Sequence, residues 1–150
     1  MKEMARTTYE RDVVSWSQEQ ARLLRRGEFS RLDIEHIADE IEDVGKAEQR
    51  ELANRLAVLL AHLLKWRRQS QLRGKSWRDT IAIQRKSIAR RLNKTPSLKA
   101  TLKDPAWREE VWLDALKDAI GETGLDASAF PETCPWSMSQ ALDLEFWPED

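Results

Sequence analysis

The sequence predicts an all-α protein, a single-domain bundle of about six helices around a central apolar helix, and three observations predict it. The stretch Leu52 to Trp66, LANRLAVLLAHLLKW, is apolar on nearly every side, the pattern of a helix buried among other helices. Its leucines at 52, 56, 59, 60, 63 and 64 fall at the three- and four-residue steps that put side chains on adjoining faces of one helix. Around it, capping and breaking residues alternate with amphipathic runs of helical period, and no segment shows the two-residue alternation of a strand. A chain of 150 residues is long enough to bury a core without disulfide or metal, so one domain, 1–150, is expected.

Thr7 with Glu10 matches a capping box, and the helix it opens, about 8–26, carries Val13, Trp16, Gln20, Leu23 and Leu24 until Gly27 stops it. Ser30 with Asp33 repeats that spacing and opens an acidic helix, about 31–44, with Ile34, Ile37, Ile41 and Val44 as its apolar stripe. Gly45 then breaks or kinks the chain, since a glycine inside a helix costs about 1 kcal/mol relative to alanine. The central helix, about 46–68, gives way to the polar stretch QSQLRGKS. Ser76 begins the next helix, about 77–93, with Trp77, Ile81, Gln84, Ile88 and Leu92 inside and Arg78, Arg85, Lys86, Arg90 and Arg91 outside.

Thr95-Pro96 and Asp104-Pro105 pair a capping side chain with a proline at the first helical position, where the missing amide costs nothing. They open a short helix, 96–103, with Leu98 and Leu102 inward, and a longer one, 105–120, with Trp107, Val111, Ala115 and Ala119 inward and Gly121 and Gly124 at its end. Ser137 with Gln140 boxes a last short helix, 137–143, with Trp136 before it as a hydrophobic staple. Phe146 and Trp147 are expected to tuck against the body.

Charge is segregated along the chain. The net charge is −1, yet residues 65–103 carry thirteen Lys or Arg and the single acid Asp79, while residues 104–150 carry twelve acids against Arg108 and Lys117. Residues 33–43 add six acids with no Lys or Arg. The apolar run Leu56–Leu64, interrupted by His62, is about half of the roughly 20 residues a membrane span needs, so no membrane association is expected. The N-terminus lacks the apolar stretch of a secretory signal, and the lone Cys134 agrees with a reducing cytoplasm.

Four sets of residues invite a chemical reading. The basic middle, with Lys65, Arg67, Arg68, Arg73, Lys75 and Arg78 interleaved with Trp66 and Trp77, suits phosphate contacts and base stacking. A pI of about 6.2 and the acidic segments favour a charge zipper within or between chains instead. His62 in an apolar helix has the setting of a proton carrier or metal ligand, with Glu40 as partner, but a buried histidine hydrogen-bonded to its surroundings explains the same residue. His36, Asp39, Glu40 and Asp43 share one face and offer nitrogen and oxygen ligands, but the Glu-x-x-His pairs of helical metal sites are missing, and a solvated acidic face is preferred. Cys134 lacks an adjacent base, and no cofactor motif or phosphate-binding loop appears.

Glu40-Ile41-Glu42 with Gly45, then His62-Leu63-Leu64-Lys65-Trp66, Ser76-Trp77, and Pro131 with Cys134-Pro135-Trp136 resemble the pattern of the bacterial family catalogued as domain of unknown function twenty-nine. The resemblance runs from about Tyr9 to Trp147 and implies an all-α fold. It implies no reaction and supplies no catalytic residues.

The expected function is that of a non-enzymatic protein-interaction module without cofactor, homodimeric or bound to another protein, with Trp112 and Trp147 as an exposed aromatic pair at the interface. Nucleic-acid binding through 65–103 is the alternative, and a small enzyme or metal protein using His62 and Glu40 is the second.

Overall fold

Runs of good helix formers, free of internal proline, give the computed structural model of the chain six helices over its described residues, 8–149. These are α1 (Val13–Arg25), α2 (Ile34–Arg68), α3 (Lys75–Lys94), α4 (Leu98–Lys103), α5 (Pro105–Thr123) and α6 (Met138–Leu142), with 3-10 turns at Phe29–Arg31, Ser70–Leu72 and Ala127–Ala129. Residues 8–11 add a helical turn ahead of α1, and no strand occurs among the described residues.

Local chemistry explains most of the helix ends. The Asp12 carboxylate accepts from the Ser15 amide at 3.1 Å and so caps α1. The Thr7–Glu10 box expected upstream involves Thr7, which lies outside the described residues. Gly27, at φ 72°, turns the chain after α1 in the left-handed region that a side chain disfavours. Asp104 accepts from the Ala106 amide with Pro105 at the first helical position, Gly124 closes α5 at φ 71°, and Ser137 and Gln140 form the full capping box of α6.

Several boundaries differ from the expectation: α4 begins at Leu98 behind Ser97 without a side-chain cap, so Thr95-Pro96 does not open it, and α5 continues through Gly121 to Thr123. Ser30 lies in the 3-10 turn, and α2 begins at Ile34, directly after Asp33. α3 starts at Lys75 after Gly74, ahead of the Ser76 expected to begin it, and Asp79 pairs with Lys75. Gly45 does not end a helix: α2 runs through it for 35 residues. Its flanks are strong helix formers, and the roughly 1 kcal/mol that glycine costs is too little to interrupt them.

Within this all-α architecture the chain divides into two compact units, residues 1–48 and 49–150, and α2 contributes to both. The first is a helical hairpin of α1 and the N-terminal part of α2. Tyr9 meets Glu40, while Trp16 and Gln20 both meet Asp33, a nesting of pairs that requires the two helices to run antiparallel.

The second unit is built around the remainder of α2. Leu52, Leu56, Leu59, Leu60, Leu63 and Leu64 are buried and pack with Ile81 and Ile88 of α3, Leu98 and Leu102 of α4, Val111 and Ala115 of α5, and Ala141 of α6. Each leucine, isoleucine or valine among them contributes about 1.5–3 kcal/mol relative to exposure. The apolar stretch is therefore the centre of its unit, as its sequence predicts.

Arg85 departs from its expected outer position. It lies between Ile81 and Ile88 on the inner face of α3, 2% exposed. Its Nε donates to the Ala141 carbonyl and its Nη2 to the Phe146 carbonyl, both at 2.8 Å, and its guanidinium lies over the Trp147 ring. The Ala141 carbonyl is among those at the end of α6 that no helical amide reaches. Burial pushes the guanidinium pKa down, with Asp143 opposing. This is how the tail carrying Phe146 and Trp147 is tucked in.

Candidate functional site

Part of the basic stretch of the second unit is occupied by its own neighbours. Lys65 is buried, its ammonium donating to Glu122 at 2.5 Å and lying 5.2 Å from the Trp77 ring centre. Trp66 is also buried, tilted against Trp147, with Arg73 and Arg78 over its ring at 5.2 and 5.9 Å. Arg73 further donates to the Trp66 carbonyl at 2.6 Å, and Lys75 pairs with Asp79 along α3. Arg67 is half-buried, while Arg68, Lys75 and Arg78, and further along Lys86, Arg90, Lys94, Lys99 and Lys103, are exposed. A nucleic-acid base would have to displace an arginine or Trp147 to stack on Trp66, so aromatic stacking is not available there.

Elsewhere in this unit, Glu51 bridges Arg55 and Arg91 at 2.9 and 3.3 Å. Acids of the same unit therefore meet part of the basic stretch.

His62 is half-buried and, with the proton on Nδ1, donates to the Val58 carbonyl one turn back at 2.8 Å. Burial pushes its pKa down, so it is neutral at physiological pH. Glu40, its proposed partner, accepts instead from the Tyr9 hydroxyl at 2.6 Å within the first unit.

Trp112 corrects the expectation of an exposed aromatic pair. It is 3% exposed, donates to the Glu132 carbonyl at 3.0 Å and meets Trp136 edge-on. Trp147 has Trp66 and Arg85 as its neighbours. A helix contacted on two sides buries residues of both faces, so the offset of Trp112 from the Trp107–Val111–Ala115 stripe does not expose it.

Cys134 lines a cleft of about 450 Å³ together with Trp112, Trp136, Met138, Arg108 and Glu109. Its thiol donates to the Trp136 carbonyl at 3.3 Å, and burial pushes its pKa up. No histidine lines the cleft, and burial keeps the sulfur there as a protonated thiol.

The first unit holds a polar and aromatic seam that reading the helices one by one did not assemble. Asp33 is buried, and its carboxylate accepts from Trp16 Nε1 at 3.0 Å and from His36 Nδ1 at 2.7 Å, while its own amide donates to Gln20 Oε1 at 2.9 Å. Burial alone would raise the Asp33 pKa, but the hydrogen bonds from His36 and Trp16 outweigh it and hold the carboxyl below its usual value. Tyr9 stacks on His36 at 3.9 Å, and its hydrogen bond to Glu40 pushes the phenol up to about 12. The three- and four-residue spacing of Asp33, His36 and Glu40 was the available signal.

His36 and Glu40 are thus committed inside the seam rather than arranged with Asp39 and Asp43. Among the described residues, no three or more His, Cys, Asp or Glu side chains converge where they could hold a metal ion.

The apolar stripe of the acidic helix has the opposite placement from a core stripe. Ile34, Ile41 and Val44 are 62%, 67% and 68% exposed, and Val13, Val14, Leu24 and Phe29 of the same unit are also exposed. The unit buries Leu23 and Leu32 beside its polar seam yet leaves these larger apolar stripes outside, an arrangement that points to a surface meant to be covered.

A family model described as "Domain of unknown function DUF29" matches residues 8–147. No curated protein and no solved structure matches the chain. No described helix is long and apolar enough to cross a membrane.

Proposed function

The chain belongs to the family described as domain of unknown function DUF29, and we propose that within that family it serves as a non-enzymatic protein-interaction module. One observation carries the reading: the N-terminal hairpin leaves seven large apolar side chains at 45–68% exposure while it buries Trp16, Gln20, Leu23, Leu32 and Asp33. Isolated exposed apolar residues are ordinary, but a contiguous patch on one small unit marks a surface that binds. The neutral thiol of Cys134 and the neutral, backbone-bonded His62 lack the partners that nucleophilic or acid–base catalysis needs, which favours binding over chemistry.

The test is photo-crosslinking in the native host, with Ile41 replaced by a benzophenone amino acid. A discrete covalent adduct is expected. If illumination at position 41, and separately at position 34, leaves only intramolecular products, the interaction reading is wrong.

A further inference from the structure

We infer that the basic outer face of α3, continued on α4, binds the phosphate backbone of duplex DNA without reading its sequence. This goes beyond the interaction reading and rests on the other unit of the chain.

Residues 80–103 contain seven Lys or Arg and no Asp or Glu. Two of the seven are accounted for inside the unit: Arg85 is turned into the core, and Arg91 meets Glu51. The other five, Lys86, Arg90, Lys94, Lys99 and Lys103, are exposed and have no ion-pair partner among the described residues. The pairing with acids that occupies Lys65, Lys75 and Arg91 thus stops short of them.

The helical period collects these cations. α3 buries Ile81, Arg85 and Ile88, and at 3.6 residues per turn Lys86, Arg90 and Lys94 centre on the opposite side. They follow one another at four-residue steps of about 6 Å along the axis. α4 starts four residues after Lys94 with Leu98 and Leu102 buried, and its Lys99 and Lys103, again four apart, share one flank. A row of three is therefore followed by a row of two at the same end of the unit.

Composition selects the occupant. Protein interfaces are depleted of lysine and enriched in aromatic side chains, whereas four of these five cations are lysines and residues 86–103 hold no aromatic residue. A helix that lies on a membrane needs a broad apolar face beside its basic one, and Ile83 is the single large apolar side chain exposed on α3. Without aromatic rings, unpaired bases have nothing to stack on, which disfavours a single strand. Lysine is a flexible point charge, and sequence-independent binding to a DNA duplex is made of contacts between such charges and phosphates. These side chains donate and do not accept, so the row offers nothing to the 2′-hydroxyl by which proteins select RNA.

Fluorescence anisotropy of the full chain tests this, with short labelled DNA duplexes of two unrelated sequences titrated between about 50 and 200 mM salt. Five phosphate contacts predict a slope of log affinity on log salt of about −4.5 and a Kd of about 1–100 μM at physiological salt, equal for both sequences. Lys86→Gln/Arg90→Gln/Lys94→Gln should make the slope shallower by about 3 and weaken low-salt binding at least tenfold, and Lys99→Gln/Lys103→Gln should make it shallower by about 2. Arg22→Gln/Arg25→Gln/Arg26→Gln removes the same charge from the other unit and should change neither quantity. All of these variants should keep the circular dichroism of the wild type, since every replaced side chain is exposed. No binding at the lowest salt overturns the inference, as does binding whose slope survives both α3 and α4 variants or falls equally in the α1 control. Duplex RNA of the same sequence bound about tenfold tighter would overturn the choice of DNA. Phosphatidylserine vesicles bound through the same residues, with DNA left unbound, would overturn it in favour of a membrane surface.

Discussion

Replacing Arg85 by methionine tests whether a buried cation holds the C-terminal tail. Methionine keeps much of the apolar stem and removes the guanidinium, which donates to two neutral carbonyls at 2.8 Å and lies 5.5 Å from the Trp147 ring centre. Two effects oppose each other. Removing a buried charge relieves a desolvation penalty of several kcal/mol. Against that, the Ala141 and Phe146 carbonyls lose charge-assisted hydrogen bonds of about 1.5–3 kcal/mol each, and the contact with Trp147, about 0.5–2 kcal/mol, is lost as well.

The orphaned carbonyls decide the balance, because Ala141 is fully buried and water does not reach it while the tail stays in place. The expected net loss is about 2–4 kcal/mol, or a melting temperature about 10 °C lower for a chain of this size. Arg85→Lys, which keeps the charge but not the forked donors, should fall between wild type and methionine. Arg85→Ala, which adds a cavity, should be worst. The assays are urea unfolding followed by tryptophan fluorescence, and hydrogen exchange across residues 143–149, which should lose protection in Arg85→Met before the rest of the unit does. A methionine variant within about 0.5 kcal/mol of wild type with a protected tail would refute the reasoning, because it would show the cation to be carried at no net benefit.

Gly45→Ala should stabilise the protein by about 0.5–1 kcal/mol, read as a thermal midpoint about 2–4 °C higher by circular dichroism, because α2 runs through this position with open space beside it. A lower midpoint would mean that the helix is broken there or that something already packs against the glycine. His62 has a lowered pKa in the folded chain, so the unfolded chain binds its proton first: its contribution to stability is complete above the ordinary histidine value of about 6.5 and is lost as pH falls from there through the folded value. His62→Gln should flatten the pH dependence of the urea midpoint in that window, and an unchanged slope would contradict the assignment. Cys134, held as a thiol by burial, should react with iodoacetamide at pH 8 far more slowly in the folded chain than after unfolding. Equal rates would show that the sulfur is exposed.

Much of the fold is legible because helix ends are short-range events. Asp104-Pro105, the left-handed Gly124, and Ser137 with Gln140 each act within a few residues, and the structure shows each as the sequence predicts it. The all-leucine face of α2 likewise needs no partner to identify it as core. The site residues were less legible. Trp66 and Arg73 look in sequence like a stacking platform, and only the tertiary contacts show that an arginine and Trp147 already cover the ring.

By itself, then, the sequence determined which segments are helices, where most of them begin and end, and that residues 52–66 form a buried centre, because propensity, capping and apolar periodicity are local. The tertiary structure decided what those patterns could not express. Gly45 continues α2 because a cost of about 1 kcal/mol is small beside the helix on either side. Arg85 turns inward because carbonyls 56 and 61 residues away accept hydrogen bonds from its guanidinium, and Trp112 is buried where the Glu132 backbone carbonyl, 20 residues on, accepts from its indole. The stripe Ile34–Val44 is identical in pattern to a core face, yet it is left outside because the hairpin closes through its polar seam. A periodic stripe specifies that a face should be covered, while long-range packing alone specifies what covers it.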